Sequence, residues 1–176
     1  ELADRVIVMY QGEIVEEGKV KDVFDNPKHS YTTNLIQSLP EFKLEERKLT
    51  EKDDNEQTKV DDNEIILRIE NLFKEFPVEK GFFKESNETV KAVQNISLNV
   101  KKNEVLGLVG ESGSGKSTVG NAIINLIDEP GKVSGGSIIL DGTNIYENPE
   151  NILKLRGNKI GLIFQDPQTS LNPILT

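Results

Sequence analysis

The segment that decides the fold is Val105-Leu106-Gly107-Leu108-Val109-Gly110-Glu111-Ser112-Gly113-Ser114-Gly115-Lys116-Ser117-Thr118. A short apolar run leads into a glycine-rich loop that ends in Lys-Ser, and a helix-compatible segment follows. This order of strand, loop and helix is typical of a phosphate-binding loop. Glycines allow the backbone to turn tightly and to approach an anion, because a Cβ atom would block those conformations. The segment therefore predicts a nucleoside triphosphate site.

Within this loop, the backbone N–H groups are expected to face the phosphates. The dipole of the helix that starts near Ser117 adds to the attraction. Lys116 is predicted to reach the β- and γ-phosphates, and the Ser117 hydroxyl to ligate Mg²⁺. The alternative is a glycine-rich turn that precedes a lysine by chance, which the flanking strand and helix disfavour.

The composition is acidic but sufficient for a core. Hydrophobic residues make up 35%, charged residues 29%, and the net charge is −9. This charge argues against broad binding to nucleic acid or anionic lipid, although a local basic patch stays open. Cysteine is absent, which excludes disulfides, iron–sulfur clusters and thiol catalysis within these 176 residues and fits a reducing cytoplasm. No apolar run approaches the ~20 residues of a membrane span, and no signal peptide is recognisable.

The first 40 residues predict a hairpin and two helices. Apolar runs at residues 5–10 and 13–16 flank Gln11-Gly12, a turn signal. A short helix is expected over residues 19–25, and a second from a Ser30-Tyr31-Thr32-Thr33 cap to Leu39. His29, the single histidine, is interpreted as an exposed loop residue rather than a catalytic base, because no partner acid is evident nearby.

Residues 41–64 are dominated by charged and amide side chains and are interpreted as a disordered linker. A second organised region follows, in which strands are predicted at 65–72, 90–100, 136–142 and 159–164, and helices at 119–127 and 149–155. Hydrolysis of a nucleotide also requires an acid after an apolar strand. Asp141 imitates that position, but the turn sequence after it favours a structural role. A GTPase is disfavoured because Asn158-Lys159 is not followed by the Asp of a base-reading motif.

The loop from Gly110 to Ser117, together with Phe164-Gln165-Asp166-Pro167-Gln168-Thr169-Ser170-Leu171-Asn172-Pro173, resembles the first half of an ABC transporter ATPase domain. Its Ser-Leu-Asn-Pro ending resembles the oligopeptide/dipeptide importer branch. Residues 4–18, 26–32 and 38–40 resemble the C-terminal end of the same kind of domain, with Ser30 where the family usually has Pro. The resemblance implies an α/β fold, a P-loop NTPase with a RecA-like core and an ABC-type antiparallel β subdomain, here incomplete.

The order of the two matches implies three parts. Residues 1–40 would be the C-terminal end of a first ATPase domain, 41–64 a charged linker, and 65–176 the N-terminal half of a second domain. Because the end of one such domain precedes the beginning of another, we interpret the chain as a fragment across the junction of two ATPase domains fused head to tail. A chain that begins at Glu1 rather than Met fits such a fragment. In related sheets the strand equivalent to residues 5–10 lies beside the phosphate-loop strand. Two complementary halves in one chain could therefore dock, with residues 6–9 against residues 106–109. The alternative is that the two strands stay unpaired, because the strands that should flank the other edge are missing.

The resemblance also implies roles for single residues. Phe76 matches the aromatic that stacks on adenine, the alternative being a core aromatic at a strand end. Thr118 matches the residue beside the α-phosphate. Gln165 matches the Q-loop glutamine that contacts Mg²⁺ and the attacking water, so Gln165 and Lys116 are the implied catalytic residues. The implied Mg²⁺ ligands are Ser117 and Gln165, and the implied ATP-binding residues are Phe76, Gly110, Glu111, Ser112, Gly113, Ser114, Gly115, Lys116, Ser117 and Thr118.

As a member of such a family, the protein is expected to be the ATP-binding component of an importer that takes up di- or oligopeptides. It would act at the cytoplasmic face of the membrane. Its implied partners are a second ATPase domain in a head-to-tail dimer, two permease subunits and, indirectly, an extracytoplasmic binding protein, with no nucleic acid. Glutathione or nickel chelates are alternative substrates, and a non-catalytic regulatory module is an alternative function. A soluble ABC-type ATPase of repair or translation is disfavoured.

Three family elements are missing from these residues: the signature, the Walker B acid pair and the switch histidine. Residues 133–137 imitate the signature but lie before the Q-loop, and we interpret them as a turn into a strand. The 176-residue chain is therefore expected to bind ATP-Mg²⁺ but to hydrolyse it negligibly by itself.

Overall fold

A computed structural model describes residues 3–38, 64–77, 89–126, 131–147 and 149–163. The elements are β1 (Arg5–Tyr10), β2 (Glu13–Lys19), α1 (Val20–Asp25), α2 (Ser30–Gln37), β3 (Ile65–Pro77), β4 (Thr89–Lys101), β5 (Leu106–Val109), α3 (Lys116–Ile123), β6 (Lys132–Leu140), β7 (Thr143–Asn144) and α4 (Pro149–Leu155). The described strands form two sheets, one with the order β2-β1-β5 and one with the order β4-β3-β6-β7. No helix in the described part of the chain is long and apolar enough to cross a bilayer.

The first sheet joins the N-terminal hairpin to the phosphate-loop strand. Gln11 and Gly12 both have positive φ, 49° and 83°, as a type I′ hairpin turn requires. Strand β1 then pairs in parallel with β5, with Val6 opposite Gly107 and Val8 opposite Val109. Of the two alternatives, the structure has the one in which residues 6–9 dock on residues 106–109.

The contact between β1 and β5 is reinforced at its start. The Asp4 N–H donates to the Val105 carbonyl (2.9 Å), and the Val105 N–H donates to the Asp4 carboxylate (2.8 Å). Arg5 forms ion pairs with Glu17 at 3.3 Å and with Glu104 at 3.1 Å. The N-terminal segment and the segment just before β5 therefore both contribute charged side chains to this contact.

Strand β1 is buried on both faces, as its continuous apolar run requires. Ile7 and Met9 face a core shared with the second sheet, whereas Val6 and Val8 face a smaller cluster under α1 and α2. The shared core also takes in α3 and α4. Its buried members are Ile7, Met9, Leu67, Ile69, Leu72, Val93, Ile96, Leu98, Val119, Ala122, Ile138, Leu140, Ile145 and Ile152.

The second sheet is antiparallel and is built around β3. Residues 133–137 were predicted as a turn into a strand that begins at Gly136. The strand is present but the turn is not, because β6 already begins at Lys132 and pairs Val133 with Lys74. The glycines instead accommodate an irregularity in the ladder. A Cβ atom at Gly136 (φ 91°) would lie 2.4 Å from the Asn71 carbonyl oxygen, so the strand needs glycine there.

Other local predictions need correction. No strand forms over the described residues 159–163, where Ile160 makes one isolated bridge to Arg156 and Ile163 is 88% exposed. The backbone of residues 159–163 pairs with no strand of either described sheet, so it lacks the hydrogen bonds that would make it a strand. Helix α3 ends at Ile123 rather than near residue 127, and the left-handed Asn125 (φ 52°) follows it.

Helix α2 is capped by His29 and not by Ser30, because the His29 Nδ1 accepts the Tyr31 N–H at 3.2 Å. His29 is accordingly half-buried and not an exposed loop residue. Most of the linker predicted over 41–64 lies outside the described residues, as do Leu39 and Gln165.

Candidate functional site

The loop predicted to bind phosphate connects β5 to α3. Gly115 is the N-cap of α3 with a left-handed φ of 102°, and the Val119 N–H donates to its carbonyl at 2.9 Å. The earlier N–H groups of the first helical turn have no acceptor within the helix. They belong to Lys116, Ser117 and Thr118, at the positive end of the helix dipole. This end of the helix can therefore attract and bind an anion.

Two glycines of the loop are required by close contact with other segments. A Cβ atom at Gly110 would lie 2.2 Å from the Met9 carbonyl oxygen, and one at Gly115 would lie 2.7 Å from the Ala92 carbonyl oxygen. Gly113 differs, because its φ of 81° requires glycine although a Cβ atom there would meet nothing within 4 Å. The loop is thus packed on the protein at both ends and open at its middle.

The Lys116 ammonium lies against the loop itself. Its Nζ donates to the Gly110 carbonyl at 2.8 Å, to the Glu111 carbonyl at 2.7 Å and to the Ser114 Oγ at 3.1 Å. All three of these acceptors are uncharged. The Lys116 ammonium can therefore exchange them for phosphate oxygens, because hydrogen bonds between oppositely charged groups are stronger. Lys116 is therefore placed to bind a polyphosphate close to the loop.

The N-terminal segment supports the loop through contacts that sequence reasoning missed. The Gly12 N–H donates to the Ser114 carbonyl (3.0 Å), and the Gly12 carbonyl accepts the Gln94 N–H (2.8 Å). The Glu111 N–H donates to the Tyr31 hydroxyl oxygen at 2.8 Å. The glycine of the hairpin turn was the single sequence signal available, because nothing in the order of residues links Tyr31 to residue 111.

The far end of α3 is fixed by side chains from the segment around α4. The Tyr146 hydroxyl donates to the Ala122 carbonyl at 2.7 Å, and burial raises the pKa of Tyr146 to about 12 despite the opposing charge of Arg156. Arg156 donates from Nε to the Ile124 carbonyl at 2.8 Å and from a terminal nitrogen to the Asn125 carbonyl at 2.6 Å. A cation there also interacts favourably with the C-terminal end of the helix dipole.

The remaining predicted residues occupy varied positions. Glu111, Ser112 and Ser117 are exposed, and Thr118 is half-buried. Phe76, near the end of β3, is half-buried with the Lys74 Nζ 4.7 Å from its ring centroid. The predicted ATP-binding residues thus lie on the phosphate loop with the start of α3 and, in the case of Phe76, near the end of β3. Gln165 lies outside the described residues.

Asp141 has the structural position that the sequence favours. It is the left-handed first residue of the turn after β6 (φ 48°), and it pairs with Lys159 at 2.6 Å. The hydrogen bond and the charge of Lys159 lower the pKa of the Asp141 carboxyl. Among the described residues, no three His, Asp or Glu side chains come together as a metal site.

Comparison with known proteins identifies the family. Residues 93–176 match the family described as ABC transporter, and residues 15–64 match the family described as oligopeptide/dipeptide transporter, C-terminal region. This chain belongs to the ABC transporter ATP-binding proteins. The first match covers the phosphate loop, and the second covers part of β2 together with α1 and α2.

Similar proteins agree with this assignment. The glutathione import ATP-binding protein GsiA of Shigella boydii serotype 4 is 39% identical over 187 aligned residues, which cover 98% of this chain and 29% of the relative. GsiA of Escherichia coli K12 gives the same identity and the same shares. The chain thus spans 29% of the length of these curated relatives.

A solved relative supports the fold. The dimeric ATP-binding cassette MJ0796, in a post-hydrolysis state bound to ADP and Pi, superposes with a TM-score of 0.50 at 32% identity, over 62% of this chain and 42% of its own. A second structure, of the dimeric bacterial ABC transporter cassette MJ0796, gives the same values. The predicted fold, an incomplete P-loop NTPase of the ABC type, is confirmed.

Proposed function

We propose that this chain binds the phosphates of ATP in the loop from Gly110 to Thr118. The observation that carries the proposal is the Lys116 ammonium within 2.8 Å of the Gly110 and Glu111 carbonyl oxygens, beside the first turn of α3. Left-handed glycines and free N–H groups at a helix start are what a polyphosphate requires. The Ser117 hydroxyl, exposed in that first turn, fits a role as an Mg²⁺ ligand.

Two further residues complete the proposal at its edges. Phe76 would stack on adenine, which its half-buried ring at the end of β3 allows. Gln165 would contribute to Mg²⁺ and water binding, and this role rests on its place in the Phe164-Gln165-Asp166 motif.

The experiment is calorimetric titration of the chain with Mg-ATP, repeated on Lys116→Ala. Loss of one charge-assisted contact should weaken ATP about 10- to 100-fold. Lys102→Ala is the matched control, because Lys102 is an exposed lysine in the turn after β4 and its removal changes the net charge equally. Equal affinities for ATP in the two variants would refute the assignment of the loop.

For the whole protein, we propose ATP hydrolysis that energises an ABC importer at the cytoplasmic face of the membrane. Support comes from the family and from relatives named as import ATP-binding proteins. A second ATPase domain and two permease subunits would be its partners. Since one alignment runs through both segments in the same order and covers 98% of the chain, we further propose that the chain crosses the junction of two fused ATPase domains. The 176 residues alone would bind ATP without turnover.

The proposed substrates are small peptides. The match to the oligopeptide/dipeptide transporter C-terminal region supports this class, and the relatives named for glutathione import make that tripeptide a specific second candidate. Uptake of labelled glutathione, a dipeptide and a longer peptide by cells that carry the full protein with its permease would separate the two candidates. Transport of none of them would overturn the proposal.

A further inference from the structure

The hydroxyl of Tyr31 makes a contact with the phosphate loop that the proposed function does not use. Tyr31 lies in the first turn of α2, and its hydroxyl oxygen accepts the Glu111 N–H at 2.8 Å across 80 residues of chain. Its ring packs on Tyr10 with the centroids 4.3 Å apart. One side chain of the N-terminal segment thus reaches the second residue of the loop.

The peptide bond that Tyr31 contacts is also the one that holds the lysine. The N–H of Glu111 and the carbonyl of Gly110 belong to the same planar peptide unit, and they point in opposite directions. The N–H donates to Tyr31, while the carbonyl accepts the Lys116 Nζ at 2.8 Å. The orientation of this plane therefore couples the tyrosine hydroxyl to the lysine ammonium.

Tyr31 is itself held in place by several contacts. The Glu16 carboxylate on β2 accepts the N–H groups of Lys28 (2.8 Å) and His29 (3.0 Å), which fixes the loop before α2. The His29 Nδ1 then accepts the Tyr31 N–H. Because the backbone and the ring of Tyr31 are both fixed, its hydroxyl is preorganised to receive the Glu111 N–H.

We propose that Tyr31 is a positioning residue for ATP binding, which acts through the peptide between Gly110 and Glu111. Held by Tyr31, this peptide keeps one orientation, and the edge of the loop is ordered before the nucleotide arrives. Without the hydroxyl the peptide can rotate, and binding must order it. This inference rests on the proposed ATP site and assigns it a residue from the other segment of the chain.

The test compares Tyr31→Phe with Tyr10→Phe. Both variants keep the aromatic pair and lose a hydroxyl, but the Tyr10 hydroxyl contacts the Gln11 amide (3.2 Å). Calorimetry with Mg-ATP should give a dissociation constant about three- to tenfold higher for Tyr31→Phe, the effect of one neutral hydrogen bond. Tyr10→Phe should bind ATP as the unchanged chain does. Melting temperatures without nucleotide show whether each variant folds.

A second measurement follows the Glu111 N–H directly. In the unchanged chain, amide hydrogen exchange followed by NMR should show protection of the Glu111 N–H, and the Tyr31→Phe variant should lose it. Unprotected exchange in the unchanged chain, or equal ATP affinity of Tyr31→Phe and Tyr10→Phe, overturns the inference alone. Absence of ATP binding by the unchanged chain would instead overturn the proposed function and this inference with it.

Discussion

The two sheets of this molecule are assembled in different ways. The β4-β3-β6-β7 sheet is antiparallel and pairs segments from one region of the sequence. The β2-β1-β5 sheet depends on a parallel contact between the N-terminal hairpin and the strand before the phosphate loop. The phosphate loop directly follows β5 and therefore belongs to the β2-β1-β5 sheet. The nucleotide site therefore depends on the contact whose formation costs more chain entropy. Substitutions in the two sheets should accordingly have different effects.

The largest effect is expected from Gly110→Ala. The added Cβ atom would lie 2.2 Å from the Met9 carbonyl oxygen at a φ of 151°, so β1 and β5 must separate. Overpacking together with backbone strain should cost more than about 4 kcal/mol in the free energy of unfolding. Gly113→Ala is the control, since it has strain without a close neighbour and should lose about 1–2 kcal/mol. Equal losses in urea unfolding would contradict the β1–β5 packing.

Truncation of one buried isoleucine in each sheet should show whether the two sheets open independently. Ile7 in β1 and Ile138 in β6 are both fully buried at 0% exposure, and each change to Ala should cost about 3 kcal/mol. Hydrogen exchange should then differ, with Ile7→Ala exposing the amides of Leu106–Val109 and Ile138→Ala exposing those of β3. The same pattern in both variants would show that the two sheets open as one unit.

Sequence reasoning succeeded where a local pattern coincided with the final contacts. The apolar run before Gln11-Gly12 predicted the hairpin, and the glycines before Lys116 predicted the loop. It failed where a partner decides the outcome. Residues 159–163 have the apolar pattern of a strand but no described neighbour to pair with. Residues 133–137 were interpreted as a turn into a strand, although Val133 and Gly135 already pair with β3.

The contacts of the site were harder to predict than its motif. His29 caps α2 because its Nδ1 is held near the Tyr31 N–H, and Ser30, a commoner capping residue type, gave the competing signal. The hydrogen bond from Glu111 to Tyr31 spans 80 residues, and it exists only because β1 lies beside β5. Such contacts follow from the docking of two segments and have no local sequence signal.

A smaller effect is expected at the end of α3, where the two sheets share a helix. Arg156→Met keeps the apolar stem and removes two hydrogen bonds to the Ile124 and Asn125 carbonyls. The free energy of unfolding should fall by about 2 kcal/mol, the value for hydrogen bonds of a charged group. Chemical denaturation measures it, and no change in stability would show that the helix end does not need this cap.

The smallest effect concerns pH and Glu16, which supports only the first sheet. Burial by itself raises the pKa of Glu16, but the nearby Thr32 hydroxyl, which makes no fully formed hydrogen bond, and the N–H groups of Lys28 and His29 lower it, so the net pKa lies below the ordinary value of a glutamate. The ionised form is therefore favoured in the folded state. Its stabilisation is present above the unfolded pKa and disappears as the pH falls through the folded pKa.

Glu16→Gln should accordingly reduce the free energy of unfolding by about 0.5–1 kcal/mol at pH 7. The difference from the unchanged chain should shrink as the pH falls below the pKa of the unfolded Glu16 carboxyl and through that of the folded one. Urea unfolding at several pH values measures this. A difference that grows in acid would contradict the assigned contacts of Glu16.

The loop docked against the N-terminal hairpin is proposed to hold the phosphates of ATP. Hydrogen exchange of the whole chain, measured with and without Mg-ATP, is the direct test. We predict that Mg-ATP slows the exchange of the amides from Gly113 to Thr118 and leaves those of β6 unchanged. Lys116→Ala should remove most of this protection at the same ATP concentration. Protection spread evenly over both sheets, or none in the loop while ATP is bound, would contradict the account.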